Sequence, residues 1–576
     1  MRNIYELKGL NNNNIFNPLA TIAQNRGLSE EDLKWHLSPT KVEHPASDLP
    51  NMEKGVNVLL DHIARNSIIF LVVDGDMDGF SSTSILLSYL RKAFNRDFNY
   101  GLHVNKKHGI EIDLIPEGTS LIIAPDSLSN ETEIYEELAK KGIEIILLDH
   151  HEADDDSENA VIINPKLPNS TYPNTEISGA GMVYKFIQEL DKRLSKNHAD
   201  YFLDLVSFGM VGDAMKISSE ETKWLITKGL SQINNDFLKE LVKKNLDDGT
   251  ELTPTVLSFK LLPKINSLIR VGTQEDKMEL FKAMCGHKEI TVNPKLRKAD
   301  KSETYGQRVA RICNNTYAKQ ARMRDKIYEE LKLQIAEKDL NKNRIIVLNV
   351  ESDFPESFTG YIASKVVGDY RKPVVVLRED DKEGSEGFKF GSLRGYDALM
   401  LDTKEFLSSL GLFEYIGGHA QASGLKIKYE NINLLDDAIN EALYELDSDE
   451  SYMVDLIMNS KSLTKDFILD MSKYDKLWGK GLDQPMYAVE QLEINLSDAQ
   501  TIGKTESILK FAVNGIEFIK FSDIGSLLDL KIDSKTAVLN VVGKTGLNSW
   551  RGNLTPQFVI EAVEIVEIKD SARFVF

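Results

Sequence analysis

The sequence predicts an α/β protein: a parallel-sheet domain, a helical spacer, a second and smaller α/β domain, and a C-terminal β-barrel. Three observations carry this. First, Ile68 to Val73 (IIFLVV), Leu121 to Pro125 (LIIAP) and Ile143 to Leu148 (IEIILL) are short apolar runs separated by helix-length segments, as strands buried on both faces require. Second, each run ends in candidate ligands: Asp74, Asp76 and Asp78 after the first, Asp126 after the second, and Asp149, His150 and His151 after the third. Third, two further strand-like runs, Arg344 to Val350 and Pro373 to Leu377, follow a charged helical stretch, and alternating strands fill the end of the chain.

Three acids at alternate positions repel one another, and the cluster is destabilising unless cations neutralise it. A divalent-metal site and a solvated acidic turn both explain the stretch. DxDxDG also opens an EF-hand loop, but here a strand precedes it, and Ile85 stands at position 12 where the bidentate Glu belongs. An open parallel sheet gathers its ligand outside the carboxyl ends of its strands, so the three runs converge. Carboxylates with imidazole suit manganese, iron or zinc, and carboxylate-rich sets suit magnesium or manganese. With no cysteine nearby, manganese or magnesium is expected.

A chain of 576 residues predicts several domains, and 42% hydrophobic content suffices for sizeable cores. The start, MRNIYELKGL, has no apolar signal region, and no run approaches a membrane span, so no membrane partner and a cytoplasmic location are expected. Cys285 and Cys313 are too few for a metal cluster or a disulfide framework. The net charge of −20 argues at first against a nucleic-acid partner. From Lys295 to Arg344, however, fourteen Lys and Arg stand against seven Asp and Glu, in a helix-like pattern with Tyr317 and Tyr328. That stretch fits a solvated linker helix or one face for a single strand.

The expected domains run as follows. Residues 1–50, with Asn11 to Asn14 and Pro18, Pro39 and Pro45, form loops and short helices wrapped on the next domain. The parallel sheet occupies 51–235, the helical spacer 236–344 and the second α/β domain 345–448, which includes a helix from Gly360 to Tyr370. Residues 449–576 hold five short strands, Tyr487 to Ile494, Ile508 to Val513, Ile516 to Phe521, Ala537 to Val542 and Gln557 to Ile565, which suggest a small barrel. Trp550 there is either packing or a stacking platform for a base.

The motifs DGDMDG, Asp126, Asp149-His150-His151 and Val211-Gly212-Asp213 resemble the four successive motifs of the DHH phosphoesterase superfamily. Leu262 to Asn266 with Arg270, Gly360 to Lys365 (GYIASK), Gly391 to Arg394 (GSLR), and Gly417-Gly418-His419 with Ala422 and Gly424 follow in the order of RecJ-type single-strand exonucleases. This resemblance covers about residues 50 to 430. It implies a DHH domain, a DHH-associated substrate-binding domain facing the metal site across a cleft, and a C-terminal OB-like domain.

It also implies roles for residues. Asp74, Asp76, Asp126, His150 and Asp213 would hold two divalent ions, manganese first and magnesium as the alternative. His151 would act at the leaving group or scissile phosphate and Asp149 would orient an imidazole, with Asp78 grouped beside them as catalytic. Asn266, Arg270, Ser364, Lys365, Ser392, Arg394, Gly417, Gly418 and His419 would bind substrate, the arginines through paired donors and the glycines by close backbone approach. The turn at Ser178 to Gly181 would let a helix approach the site, although a plain N-cap turn explains it equally. Val73, where many relatives carry Gly, and the middle residues Gly75 and Met77 depart from the family pattern.

The implied activity is 5′-to-3′ exonucleolytic hydrolysis of single-stranded DNA to 5′-mononucleotides, with a helicase or a single-strand binding protein as candidate partners. Three alternatives compete. A DHH phosphodiesterase acting on short oligonucleotides or cyclic dinucleotides would lack the long spacer and barrel. A non-catalytic RecJ-like replication scaffold would have lost ligands. A general single-strand binding protein would show no turnover.

Overall fold

In the computed structural model the apolar run Ile68–Val73 forms a strand, β1, with five of its six residues buried. It joins Asn99–Leu102 (β2), Thr119–Pro125 (β3), Glu144–Leu148 (β4) and Val161–Ile163 (β5) in a parallel sheet of order β2-β1-β3-β4-β5. Phe70, Val72, Ile122, Ala124, Ile145 and Leu147 share one core. The alternate residues Ile69, Leu71, Val73, Leu121 and Ile123 are buried too, so both faces are covered and the strands read as unbroken apolar runs. The chain runs from β1 to β2 on one side and to β3 on the other. Loops after β1 and β3 therefore part at a switch point, where such sheets leave a crevice.

The structure describes residues 4–9, 12–103, 110–127, 129–293, 301–351, 354–379, 385–396, 402–419, 421–443, 452–502, 508–521, 536–550 and 553–569. The chain divides into two units. One comprises Lys34–Gln320 and Tyr474–Gln484, and the other Met1–Leu33, Ala321–Lys473 and Pro485–Phe576.

The first unit holds the parallel sheet and the helices Met77–Phe94, Gly179–Leu194 and Leu203–Gly212. The expected spacer is not one element. After Leu262–Val271 and Gln274–Met284 comes an antiparallel ribbon of Ile290–Val292 and Ser302–Thr304, then the helix Tyr305–Glu337. The division between units falls inside this helix after Gln320. Its first half buries Val309, Ala310 and Cys313, and its second half supplies Tyr328, Leu331 and Ile335 to the other unit's core.

That second unit contains Ile346–Val350 (β6), Val374–Glu379 (β7), Phe388–Arg394 (β8), Phe413–His419 (β9) and Ala422–Lys428 (β10), in the order β9-β10-β8-β7-β6. Only β6 and β7 run parallel. Beyond them lies a seven-stranded sheet. Its order is Leu456–Asn459, Tyr487–Asn495, Thr536–Trp550, Asn553–Lys569, Ile516–Lys520, Ile508–Val513 and Gln500–Ile502.

This corrects the expectation of five short strands. Two strands have 15 and 17 residues and pair from Thr536↔Lys569 to Trp550↔Asn553. Gly543 and the register shift at Val542/Gly543 break the apolar alternation, which is why the sequence reads as ending there. Trp550 ends its strand by backbone pairing, and its side chain lies outside the described part of the structure.

The amino-terminal segment is corrected in part. Tyr5–Leu7 pairs in parallel with Tyr452–Val454, and Arg26 bridges buried Asp455 at 2.7 Å, so residues up to Leu33 belong with the carboxy-terminal unit, whereas Glu43 and His44 bond Tyr184, Lys185 and Glu221 beside the parallel sheet as expected. Asn11 lies outside the described residues. Among the described residues no helix is long and apolar enough to cross a membrane.

Candidate metal centre

The acids of the first motif divide their work once β1 ends. Asp76 is the N-cap of helix Met77–Phe94, and its Oδ1 accepts from the amides of Asp78 and Gly79 at 2.9 and 3.0 Å. Asp78 is buried and turns toward a different helix. It accepts from Ser178 Oγ at 2.8 Å, Gly179 N at 2.6 Å and Ala180 N at 3.1 Å. Asp78 thus caps helix Gly179–Leu194 from outside, while the residue at its N-cap position, Ser178, makes no cap bond of its own. The turn at Ser178 to Gly181 is therefore more than a local N-cap.

Asp126 follows β3 with φ of 61°, an uncommon conformation for a side-chain-bearing residue, and its amide donates to Leu148 O at 2.9 Å. Asp213 terminates helix Leu203–Gly212, where the helix dipole disfavours a carboxylate. The β4 loop supplies His150, whose Nε2 lies 3.1 Å from Asp126 Oδ1, 3.4 Å from Asp213 Oδ2 and 3.9 Å from Asp78 Oδ2.

Three overlapping sets present ligand atoms within 4.8 Å of one another: Asp74, Asp76 and Asp126; Asp78, His150 and Asp213; Asp126, His150 and His151. The sequence grouped Asp78 with the catalytic residues alone, whereas the geometry also puts it at ligand distance.

The electrostatics describe a site built for cations. Burial, then the charges of Asp78, Asp76 and Asp74, push the Asp126 carboxyl well above the ordinary range. Burial, then Asp78 and Asp76, lift Asp213 to about 7. Burial and the charge of His151 hold His150 down to about 4, which leaves a neutral imidazole. Among the described residues the basic nitrogen that approaches Asp78, Asp126 and Asp213 is Nε2 of this one uncharged ring. Clustered carboxylates with a neutral imidazole fit a divalent cation, which removes the repulsion that desolvation creates.

Asp149 is wholly buried and accepts from Ser129 N and Oγ, His150 N and His151 Nδ1, the last at 2.7 Å. Burial alone would raise its pKa, but the bond from His151, that residue's charge and the Ser129 bond hold it far below the usual range. The same bond lifts His151, whose side chain is exposed, to about 9. Asn164 completes the support, donating to Ser129 Oγ at 2.8 Å and His151 O at 2.9 Å. Sequence inspection missed Ser129 and Asn164; the strand that ends just before Asn164-Pro165 was their only signal.

The expected substrate residues fall in both units. Asn266 and Arg270 lie on helix Leu262–Val271, half-buried and exposed respectively. In the other unit the strand register sets Ser392, Gly424 and Gly417 in one row and Arg394, Ala422 and His419 in a row two residues further along. The register describes His419 by its backbone only. Helix Thr359–Tyr370 begins against these rows: Thr359 and Ser392 share a hydroxyl bond of 2.8 Å, and a Cβ on Gly360 would stand 2.6 Å from an Arg394 nitrogen. Gly418, at φ of 124°, allows the tight approach of the β9 and β10 backbones.

Lys365 does not join this group. Its ammonium lies 3.6 Å from Asp325 and 4.2 Å from the Tyr328 ring centre, because its position on the helix faces helix Tyr305–Glu337. Ser364 donates to Gly360 O at 3.0 Å.

The model of the DHH family, N-terminal domain, matches residues 68–210, and that of the RecJ OB domain matches 454–562. The chain is 37% identical to the SPbeta prophage-derived protein YorK of Bacillus subtilis (strain 168), covering 98% of this chain and 99% of that one; YorK is provisionally named a single-strand DNA-specific exonuclease. It is 24% identical to the single-stranded-DNA-specific exonuclease RecJ of the same strain, over 90% of this chain and 64% of that protein. The crystal structure of RecJ in complex with Mn2+ from Thermus thermophilus shares the fold, with a TM-score of 0.69 at 18% identity over 99% of this chain and 81% of that one.

Proposed function

Because the chain belongs to the RecJ-type single-strand exonuclease family of DHH proteins, we propose that it degrades single-stranded DNA from the 5′ end to 5′-mononucleotides with two divalent cations. Manganese is the first choice and magnesium the alternative. The observation that carries the proposal is the convergence of Asp74, Asp76, Asp78, Asp126, His150 and Asp213 at ligand distance on one sheet edge. Bound there, the cations would activate water and offset charge developing on the phosphate.

The chain's own groups do the rest. His151 is protonated at neutral pH and has Nδ1 taken by Asp149, so Nε2 is the nitrogen available to a departing oxygen. Asp149 fixes that ring, and Ser129 and Asn164 fix Asp149. Arg270 and Asn266 in one unit, and Ser392, Arg394 and the Gly417 to His419 backbone in the other, bind phosphates. Residues 51–235 act as the DHH domain, 345–448 as the DHH-associated domain and 449–576 as the OB-like domain. A cytoplasmic setting and a helicase or binding protein that presents the strand belong to the same proposal.

The test uses two single-stranded oligomers, one labelled at each end, with manganese, and a duplex and a cyclic dinucleotide as controls. Early release of the 5′ label as mononucleotide, abolished by chelator, is expected. Release from the 3′ end first, or turnover of the cyclic dinucleotide alone, overturns the proposal.

A further inference from the structure

Leu257–Leu261 forms a π-helical turn, a rare insertion that recurs at functional sites, leading directly into helix Leu262–Val271. Leu257, Leu261 and Leu262 are buried. Leu262 reaches the metal loops: a Cβ on Gly212, the neighbour of Asp213, would lie 3.0 Å from Met77 Cγ and 3.9 Å from Leu262 Cδ2. On the outer side of the same turn Phe259 is 78% exposed, more than any other large apolar side chain described in this unit.

Phe259 is not isolated. With Pro263, Asn266 and Arg270 it forms one outward row at spacings of four, seven and eleven residues, all four at least partly exposed. Lys260 and Lys264 flank the row, and Lys264 lies 5.1 Å from the Tyr317 ring centre. From Leu252 to Thr273 the chain has Lys260, Lys264 and Arg270 and no Asp or Glu, although the whole carries −20. A bare phenyl among cations, anchored beside the metal loops, suits a flat aromatic group carried on an anionic backbone.

We infer that Phe259 is a stacking platform for one base of the bound single strand, a role that takes its ligand from the nuclease proposal above. The cations flanking it engage phosphates on either side of that base. Because any base has a π-face, this contact holds the strand without reading its sequence.

The experiment measures binding of 5′-labelled oligomers, each with one abasic position scanned along it, in chelator so that no cleavage occurs. Unaltered protein, Phe259→Ala and Phe259→Trp are compared. Stacking on one base contributes on the order of tenfold in affinity. One abasic position should therefore weaken the unaltered protein about tenfold. Phe259→Ala should bind the intact strand about tenfold more weakly and ignore that same abasic position, and Phe259→Trp should restore both responses. Equal abasic penalties with Phe and Ala, or unchanged affinity in Phe259→Ala, overturn the inference. Failure of the unaltered protein to bind any single strand in chelator removes this role, and the end-labelled release assay with manganese decides the nuclease proposal separately. Normal nucleotide release without coupling between Phe259 and a base removes this role alone.

Discussion

A Cβ on Gly179 would stand 2.4 Å from the Cβ of Asp126 and 2.7 Å from its Oδ1. Neither side can yield easily. The Gly179 amide is held by Asp78 at 2.6 Å, and Asp126 is held in its left-handed conformation by the bond to Leu148 O. Gly179→Ala should therefore displace the Asp126 carboxylate, lower manganese affinity by tenfold or more, and cost about 1–3 kcal/mol as overpacking. Manganese titration calorimetry with a melting curve checks this, and native affinity in the variant would contradict it.

Asp78 and Asp213 should respond oppositely to loss of charge. Asp78→Asn keeps one acceptor oxygen and turns an amide toward either the Gly179 N–H, which Oδ2 accepts, or the Ser178 hydroxyl and Ala180 N–H, which Oδ1 accepts, so helix Gly179–Leu194 loses part of its cap at a cost of roughly 1–2 kcal/mol. Asp213→Asn removes a carboxylate from a helix C-terminus and from the repulsion of Asp78 and Asp76, and should leave the metal-free protein at least as stable. Denaturant titration in chelator separates them. Equal destabilisation would remove the capping role of Asp78.

Much of this site was legible in the sequence because strands buried on both faces leave continuous apolar runs, and their ends mark one edge. Asp74, Asp126 and the Asp149 to His151 group come together for that reason. The capping by Asp78 was not legible, since it joins residues a hundred positions apart in sequence. The contacts of Lys365 were not legible because sequence order does not show which helix face meets Asp325 and Tyr328. The long strands Thr536–Trp550 and Asn553–Lys569 escaped notice because glycine and polar residues interrupt their alternation while the backbone pairing continues.

The raised carboxyl of Asp213 gives a pH signature. A carboxyl near 4 in the unfolded chain and about 7 in the folded one makes folding less favourable as pH climbs between those values, with no further change above. The metal-free protein should therefore lose stability relative to Asp213→Asn from pH 4 to 7, by about 2 kcal/mol once partial exposure is allowed for. Manganese affinity should rise over the same interval as the proton competes less. Paired melting curves across pH test both, and parallel curves for the two proteins would refute the assignment.

Lys223 tests how residues Tyr474–Gln484 are held in the first unit. It is buried and donates to the carbonyls of Lys476 and Leu477 at 2.9 and 3.1 Å, while the Ile217 amide donates to Lys480 O nearby. Burial, then the charge of Lys476, brings the Lys223 amine down to about 8. Folding therefore disfavours its charged form, and that penalty is complete below pH 8 and fades toward the unfolded value near 10.4. Lys223→Met removes the penalty and both bonds together, so near pH 7 the change should be small, within about 1 kcal/mol. As pH rises to 10 the unaltered protein should gain on the variant by about 2 kcal/mol, since the neutral amine still donates. Amide exchange at Ile217 should quicken in the variant at every pH, because the segment loses two of its tethers. A stability difference that does not vary with pH, together with unchanged Ile217 exchange, would show that Lys223 does not hold this segment.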